Sequence, residues 1–237
     1  MLPDRQNHSE RLVQIAAIII LAIASVTIIL IMGGVFDPKP AGPLRESTKL
    51  GQFSLGQAGE VVLIQLESPF ANHHPGSYSV RLTSEYVSGE TDSGYGLVLG
   101  NEDERIFVAV SPLGEAAVWR FSSTEEIDYQ VAWQPWPHVR QGSIPNEIWL
   151  DVDGSEPNLQ VTARINRELI WRGSVEAITP AAALWLAAFD GPFTVKMTEL
   201  EWFSEIPTAP IVATLIATTP LATTPLATTP MESAPAP

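Results

Sequence analysis

Two tryptophans, Trp133 and Trp136, stand in the run AWQPWPHVR, with His138 and Arg140 just behind them. The two prolines of that run disfavour regular sheet, which would present the indoles rather than bury them. Sugar rings stack on indoles through their apolar C–H faces, while neighbouring polar groups select the hydroxyls. Trp133, Trp136, His138 and Arg140 are therefore the candidate ligand site. The competing reading is that this connection folds over one end of the core and the indoles plug it. The other five tryptophans, Trp119, Trp149, Trp171, Trp185 and Trp202, fall within strand-like segments and are expected in the core. Asp151, Asp153 and Glu156 cluster in and beside a turn, DVDGSEP. Oxygen ligands at such spacing suit Ca²⁺, although the run is too short for an EF-hand loop. Calcium is the one cofactor that the sequence suggests, against the reading of a solvated turn.

No catalytic residue is assigned. Glu199 and Glu201 share a strand face, but a solvated edge accounts for them as well as chemistry does. The acidic run from Asn101 to Glu104 reads as a hairpin tip. His73 and His74 are adjacent in a loop with no identifiable third ligand. No Gly-x-Ser-x-Gly elbow, phosphate loop or dinucleotide fingerprint occurs. The chain has no cysteine, which excludes disulfides, zinc–thiolate sites, iron–sulfur centres and a cysteine nucleophile.

The elements that must position these groups are legible at both ends. Residues 12–32, LVQIAAIIILAIASVTIILIM, carry no charge and are long enough to cross a bilayer as a helix. A cleaved signal peptide would have a shorter apolar region, and here the apolar run continues past the small residues Ala22 and Ala24. The reading is an uncleaved anchor: residues 1–11 a cytoplasmic stub, 12–35 a transmembrane helix, 36–49 a linker. Arg5 and Arg11 precede the helix, and Lys39 and Arg45 follow it, so the positive-inside signal is nearly balanced. Arg11 abuts the apolar run, which favours the N-terminus inside and an extracellular C-terminal domain. Residues 206–237 are rich in Thr, Pro and Ala with a recurring LATTP, and are expected to be a disordered, stalk-like tail.

Residues 50–205 hold all seven tryptophans and suit one domain. The chain carries 27 acidic against 13 basic residues, a net charge of −14. Such a surface repels nucleic acid, which is excluded as a partner. Short alternating segments recur about every ten residues, with no helical period. Tyr78, Val80, Leu82 and Tyr86 alternate with polar neighbours. Ser111-Pro112-Leu113-Gly114 reads as a hairpin turn, and Asn166-Arg167 as a two-residue one. Eleven or twelve strands without a helix predict a two-sheet sandwich, because a single open sheet would leave an apolar face wet.

These motifs resemble a known family. The run GYGLVLGNEDERIFVAVSPLGEAAVWRF, the pattern of Trp136, Gly142 and Asn146 before a strand, the hairpin INRELIWRG with Arg167 where the family usually has Gly, and the closing strand VKMTELEWF are similar to bacterial concanavalin A-like lectin/glucanase domains, of LamG-like kind. The resemblance implies an all-β jelly-roll sandwich. Its β-glucan hydrolases carry a Glu-x-Asp-x-x-Glu strand, which is absent here. The expected function is a membrane-anchored, non-catalytic module that binds glycan or another surface partner. The alternatives are a glycoside hydrolase or related carbohydrate-active enzyme with an atypical site, and a spacer domain without ligand.

Overall fold

In the computed structural model, residues 5–32, 37–70, 76–123, 125–154, 158–176 and 178–205 are described. His73, His74, Glu156 and the Thr/Pro-rich tail lie outside them. The chain divides into two units, Met1–Lys39 and Pro40–Pro237. The first holds helix α1, Arg5–Met32, which begins within the stretch read as a stub. Its window Val13–Leu30 has a mean hydropathy of 2.8, and none of it is buried in the protein. The helix is thus long and apolar enough to cross a membrane. Ser25 and Thr27 return their hydroxyls to the carbonyls of Leu21 and Ile23, so neither adds an unpaired polar group to the apolar surface.

The second unit is an all-β jelly-roll sandwich of two antiparallel sheets. One sheet runs in the order β1 (Leu44–Lys49), β13 (Phe193–Ser204), β4 (Ser77–Gly89), β9 (Asn146–Asp153), β10 (Leu159–Ile165), β11 (Glu168–Val175), with β2 (Gln52–Leu55) also on β13. The other runs β3 (Val61–Leu66), β12 (Ala182–Ala188), β5 (Ser93–Gly100), β6 (Glu104–Val110), β7 (Glu115–Ser122), β8 (Glu125–Pro135). The side-chain period of two assigns each strand's residues to two faces. Val80 and Leu82, Ile148 and Leu150, Leu97 and Leu99, Val108 and Val110, Leu184 and Leu186, and Trp202 point between the sheets into one core.

Two expectations change. Part of the segment read as a linker is a strand: β1 pairs along β13 from Leu44↔Phe203 to Lys49↔Glu199. Its polar sequence LREST hides this because only one side of an edge strand packs. The prolines after Trp133 do not keep that residue out of the sheet. Strand β8 continues to Pro135, which is tolerated as the last residue of an edge strand because its missing N–H would face solvent.

Both turns form as expected. The amide of Gly114 donates to the carbonyl of Ser111 at 3.1 Å, with φ 88° at the glycine. Asn166 and Arg167 take φ 51° and 75°, the left-handed pair of a tight hairpin whose twist matches its strands.

Candidate functional site

The outward face of the six-stranded sheet is paved with aromatic rings. Its floor is small: Gly96 of β5, Ala109 of β6 and Ala117 of β7 are cross-strand neighbours at the centre. Trp185 of β12 pairs with Gly96 on one side of this floor, and Trp133 of β8 lies beyond Ala117 on the other. Four strand spacings separate β12 from β8, roughly 19 Å. Yet the Trp133 and Trp185 ring centroids are only 6.4 Å apart, so the two indoles lean toward each other over the small residues. Gly94 permits this: a Cβ there would lie 2.8 Å from the Trp185 ring and 3.2 Å from that of Trp133.

The adjoining row adds Phe107, Trp119 and Tyr129, aligned across β6, β7 and β8. Phe107 and Trp119 stack at 4.8 Å and 10°, and Trp119 meets Trp185 edge-on at 5.0 Å. Phe189 closes one end, edge-on to Trp133 at 6.1 Å. Trp119 is 6% exposed, whereas Tyr129 is 50% and Phe189 40% exposed, and Trp133 and Trp185 are half-buried. The rings therefore seal the sheet beneath them while offering indole and phenol surface to solvent. Flat, rigid and amphipathic surface of this kind suits stacking against an apolar ligand face.

The structure divides the four residues expected to form one ligand site. Trp133 belongs to the outward aromatic cluster, and Trp136 packs against the core between the sheets. The Trp136 Nε1 is buried and meets no acceptor among the described residues. His138 lies 6.2 Å from Trp136, ring to ring, and is exposed. Arg140 is also exposed and donates to the carbonyl of Pro145 at 2.9 Å. Asn146 fixes this loop. It is fully buried, accepts from the Arg140 amide at 2.8 Å and from Asn166 Nδ2 at 2.8 Å, and donates to the Arg140 carbonyl at 2.9 Å.

All five remaining tryptophans lie in strands, but the expectation of a common core needs correction. Trp202 is central to the core and Trp171 packs against it, while Trp119 and Trp185 belong to the outward cluster. Trp149 faces outward on the seven-stranded sheet. There the Arg81 guanidinium lies over Trp149 at 5.6 Å and over Phe203 at 5.1 Å. Strand alternation placed these residues in the sheet without saying which face was which.

That seven-stranded outer face is electrostatically closed. Arg81 pairs with Glu201 at 2.6 Å and Glu147 at 3.4 Å. Glu199 is bonded by Lys49 and Ser47, which hold its carboxyl below the usual range. Asp151 accepts from Ser79 at 2.6 Å and meets Arg164 at 3.4 Å, while burial pushes its pKa up despite them. Asp153 accepts from Ser77 at 3.1 Å. Among the described residues, no group of three or more acidic, histidine or cysteine side chains could hold a metal ion. A polar cavity of about 360 Å³ opens near Glu104, Arg120, Ser174 and Glu176, but Arg120 there is already paired with Glu104 at 2.5 Å.

No family model and no curated protein matches the chain. Among solved structures, it is similar to a Crh5 transglycosylase in complex with NAG (10% identity, 72% of this chain and 89% of that one, TM-score 0.46). It is also similar to the carbohydrate-binding module CBM66 from Bacillus subtilis (9%, 70% and 98%, 0.44) and to the Caenorhabditis elegans galectin LEC-6 (10%, 63% and 94%, 0.39).

Proposed function

We propose that the chain is a single-pass membrane protein, N-terminus inside, whose extracellular sandwich binds glycan through the aromatic face of its six-stranded sheet without acting on it chemically. The observation that carries this reading is the joined surface of Trp133, Trp185, Trp119, Tyr129 and Phe189, five rings within 6.5 Å of a neighbour on a face whose floor is glycine and alanine. A sandwich needs only its inner faces to be apolar, so a second, partly exposed aromatic cluster on an outer face supports a ligand there. The apolar helix supports membrane anchorage, and Arg11, just before its apolar run, supports the orientation.

The test is a glycan array probed with the full chain in nanodiscs, followed by a hydrolysis assay on every hit. Binding without turnover is the expected result. Turnover of a hit supports the hydrolase alternative, and silence on a broad array supports the spacer. Protease added to intact cells should remove the sandwich, and its survival until the membrane is opened overturns the orientation.

A further inference from the structure

An arginine closes one end of the aromatic face. The register sets the outward positions of β5, β6 and β7 in three rows: Gly96, Ala109 and Ala117, then Val98, Phe107 and Trp119, then Gly100, Arg105 and Phe121. Successive rows are two residues apart, about 7 Å. Arg105 therefore stands one row beyond the stacked Phe107–Trp119 pair. Phe121 lies directly across from it and packs against the same cluster. Ile106, the next residue of β6, points into the core, which fixes Arg105 on the outer side with the rings.

Arg105 is half-buried, and its Nε is buried without an acceptor. Among the described residues its guanidinium meets no carboxylate and no carbonyl, whereas every other arginine of the sandwich has an acceptor. The chain carries 27 acidic residues, so this guanidinium is not open for want of carboxylates. A buried donor is seldom left unmade in a folded protein, and on a charged group it is costly. Here it sits at the margin of a surface built for stacking, and an anion borne by the stacked ligand would satisfy it.

The guanidinium is a flat fork that matches a flat carboxylate through two parallel hydrogen bonds. A carboxylate attached directly to a sugar ring leaves the apolar C–H face of that ring free to stack. We infer that the ligand of this face is an acidic oligosaccharide built on uronic acids, with sugar rings on Trp133 and Trp185 and a carboxylate on Arg105. This rests on the glycan-binding reading above and names the class of glycan.

The experiment titrates the full chain calorimetrically, in nanodiscs of zwitterionic lipid, with three β-1,4-linked hexamers that differ only at the sixth carbon: glucose, glucuronate and glucose sulfated at that position. The glucuronate hexamer should bind roughly tenfold tighter than the glucose hexamer, the scale of one charge-assisted hydrogen bond. Arg105→Gln should bring the two to the same affinity and leave that for the glucose hexamer unchanged. Arg105→Lys keeps the charge without the fork and should retain only part of the preference. Lys196→Gln, the same change of charge on the opposite sheet, should retain all of it.

Equal affinity for glucose and glucuronate hexamers overturns the inference, and so does a preference that survives Arg105→Gln. A sulfated hexamer that binds as tightly as glucuronate, with the same dependence on Arg105, overturns the choice of carboxylate, because the site then reads any anion. If the preference is absent but Trp185→Ala abolishes binding of the glucose hexamer, the uronate is lost and the glycan-binding face stands. If Trp133→Ala and Trp185→Ala leave every affinity unchanged, the face itself is wrong. Silence with all three hexamers overturns the inference, and the glycan array then decides the binding face by itself.

Discussion

Gly94→Ala is the smallest change that should disturb the aromatic face. The new Cβ would lie 2.8 and 3.0 Å from two ring carbons of Trp185 and 3.2 Å from one of Trp133. Ordinary contact begins at 3.4 Å, so the Trp185 ring must move by roughly 0.6 Å. The clash is with the outer edge of a half-buried indole and not with backbone, so the ring can swing. Overpacking costs about 1–3 kcal/mol in a closed core, and the open side of this face places the change near the lower end. At Gly94 φ lies outside the left-handed region, so Ala also stabilises by about 0.4–1 kcal/mol through the unfolded chain. The net loss should stay under about 2 kcal/mol, a fall in Tm of less than about 8 °C for a domain of this size. The coupled Trp133 and Trp185 rings should nonetheless change near-UV circular dichroism, and affinity for any array hit should fall. Gly51→Ala is the control, since a Cβ there meets nothing within 4 Å. Near-UV spectra and binding curves that coincide with wild type would refute the placement of the indoles over Gly94.

Trp119→Ala removes the ring that touches Phe107, Trp133, Trp185 and Tyr129, and should cost about 3–5 kcal/mol in denaturant unfolding; a loss under about 1 kcal/mol would mean that the cluster does not cover the sheet. Asn146→Ala strips four hydrogen bonds from a fully buried site and should destabilise by about 2–4 kcal/mol. It should also open the loop of residues 136–145 to limited proteolysis, and an uncut loop would contradict the clamp. Burial raises the folded pKa of Asp151 above its unfolded value. Its contribution to stability is therefore fully present below the unfolded pKa and is lost as pH rises through the folded one. Asp151→Asn should flatten that part of the stability–pH curve, and an unchanged curve would deny the shift.

The sandwich was readable because its physics is local. Alternation in residues 78–86, the Pro112–Gly114 turn and the Asn166–Arg167 hairpin each act through their own backbone and neighbours. The aromatic face was not, because parity within a strand does not say which face meets the other sheet. Trp119 and Trp202 look alike in sequence, yet one lies outside and one inside. A signal did exist in segments apolar on both faces, such as GYGLVLG and AALWLAA, where every β5 residue is buried. Such strands must be covered twice, and the second cover is the ring cluster. The separation of Trp133 from Trp136 depends on β8 continuing to Pro135, which the prolines concealed.

The most direct measurement is acrylamide quenching of tryptophan emission from the full chain, with and without a glycan taken from the array, in wild type and in Trp133→Ala/Trp185→Ala. Bound glycan should shield the wild-type indoles and reduce quenching, and the double variant should lose both the shielding and the affinity while keeping most of its melting temperature. A double variant that still binds the glycan with wild-type affinity would place the ligand somewhere other than the aromatic face of the six-stranded sheet.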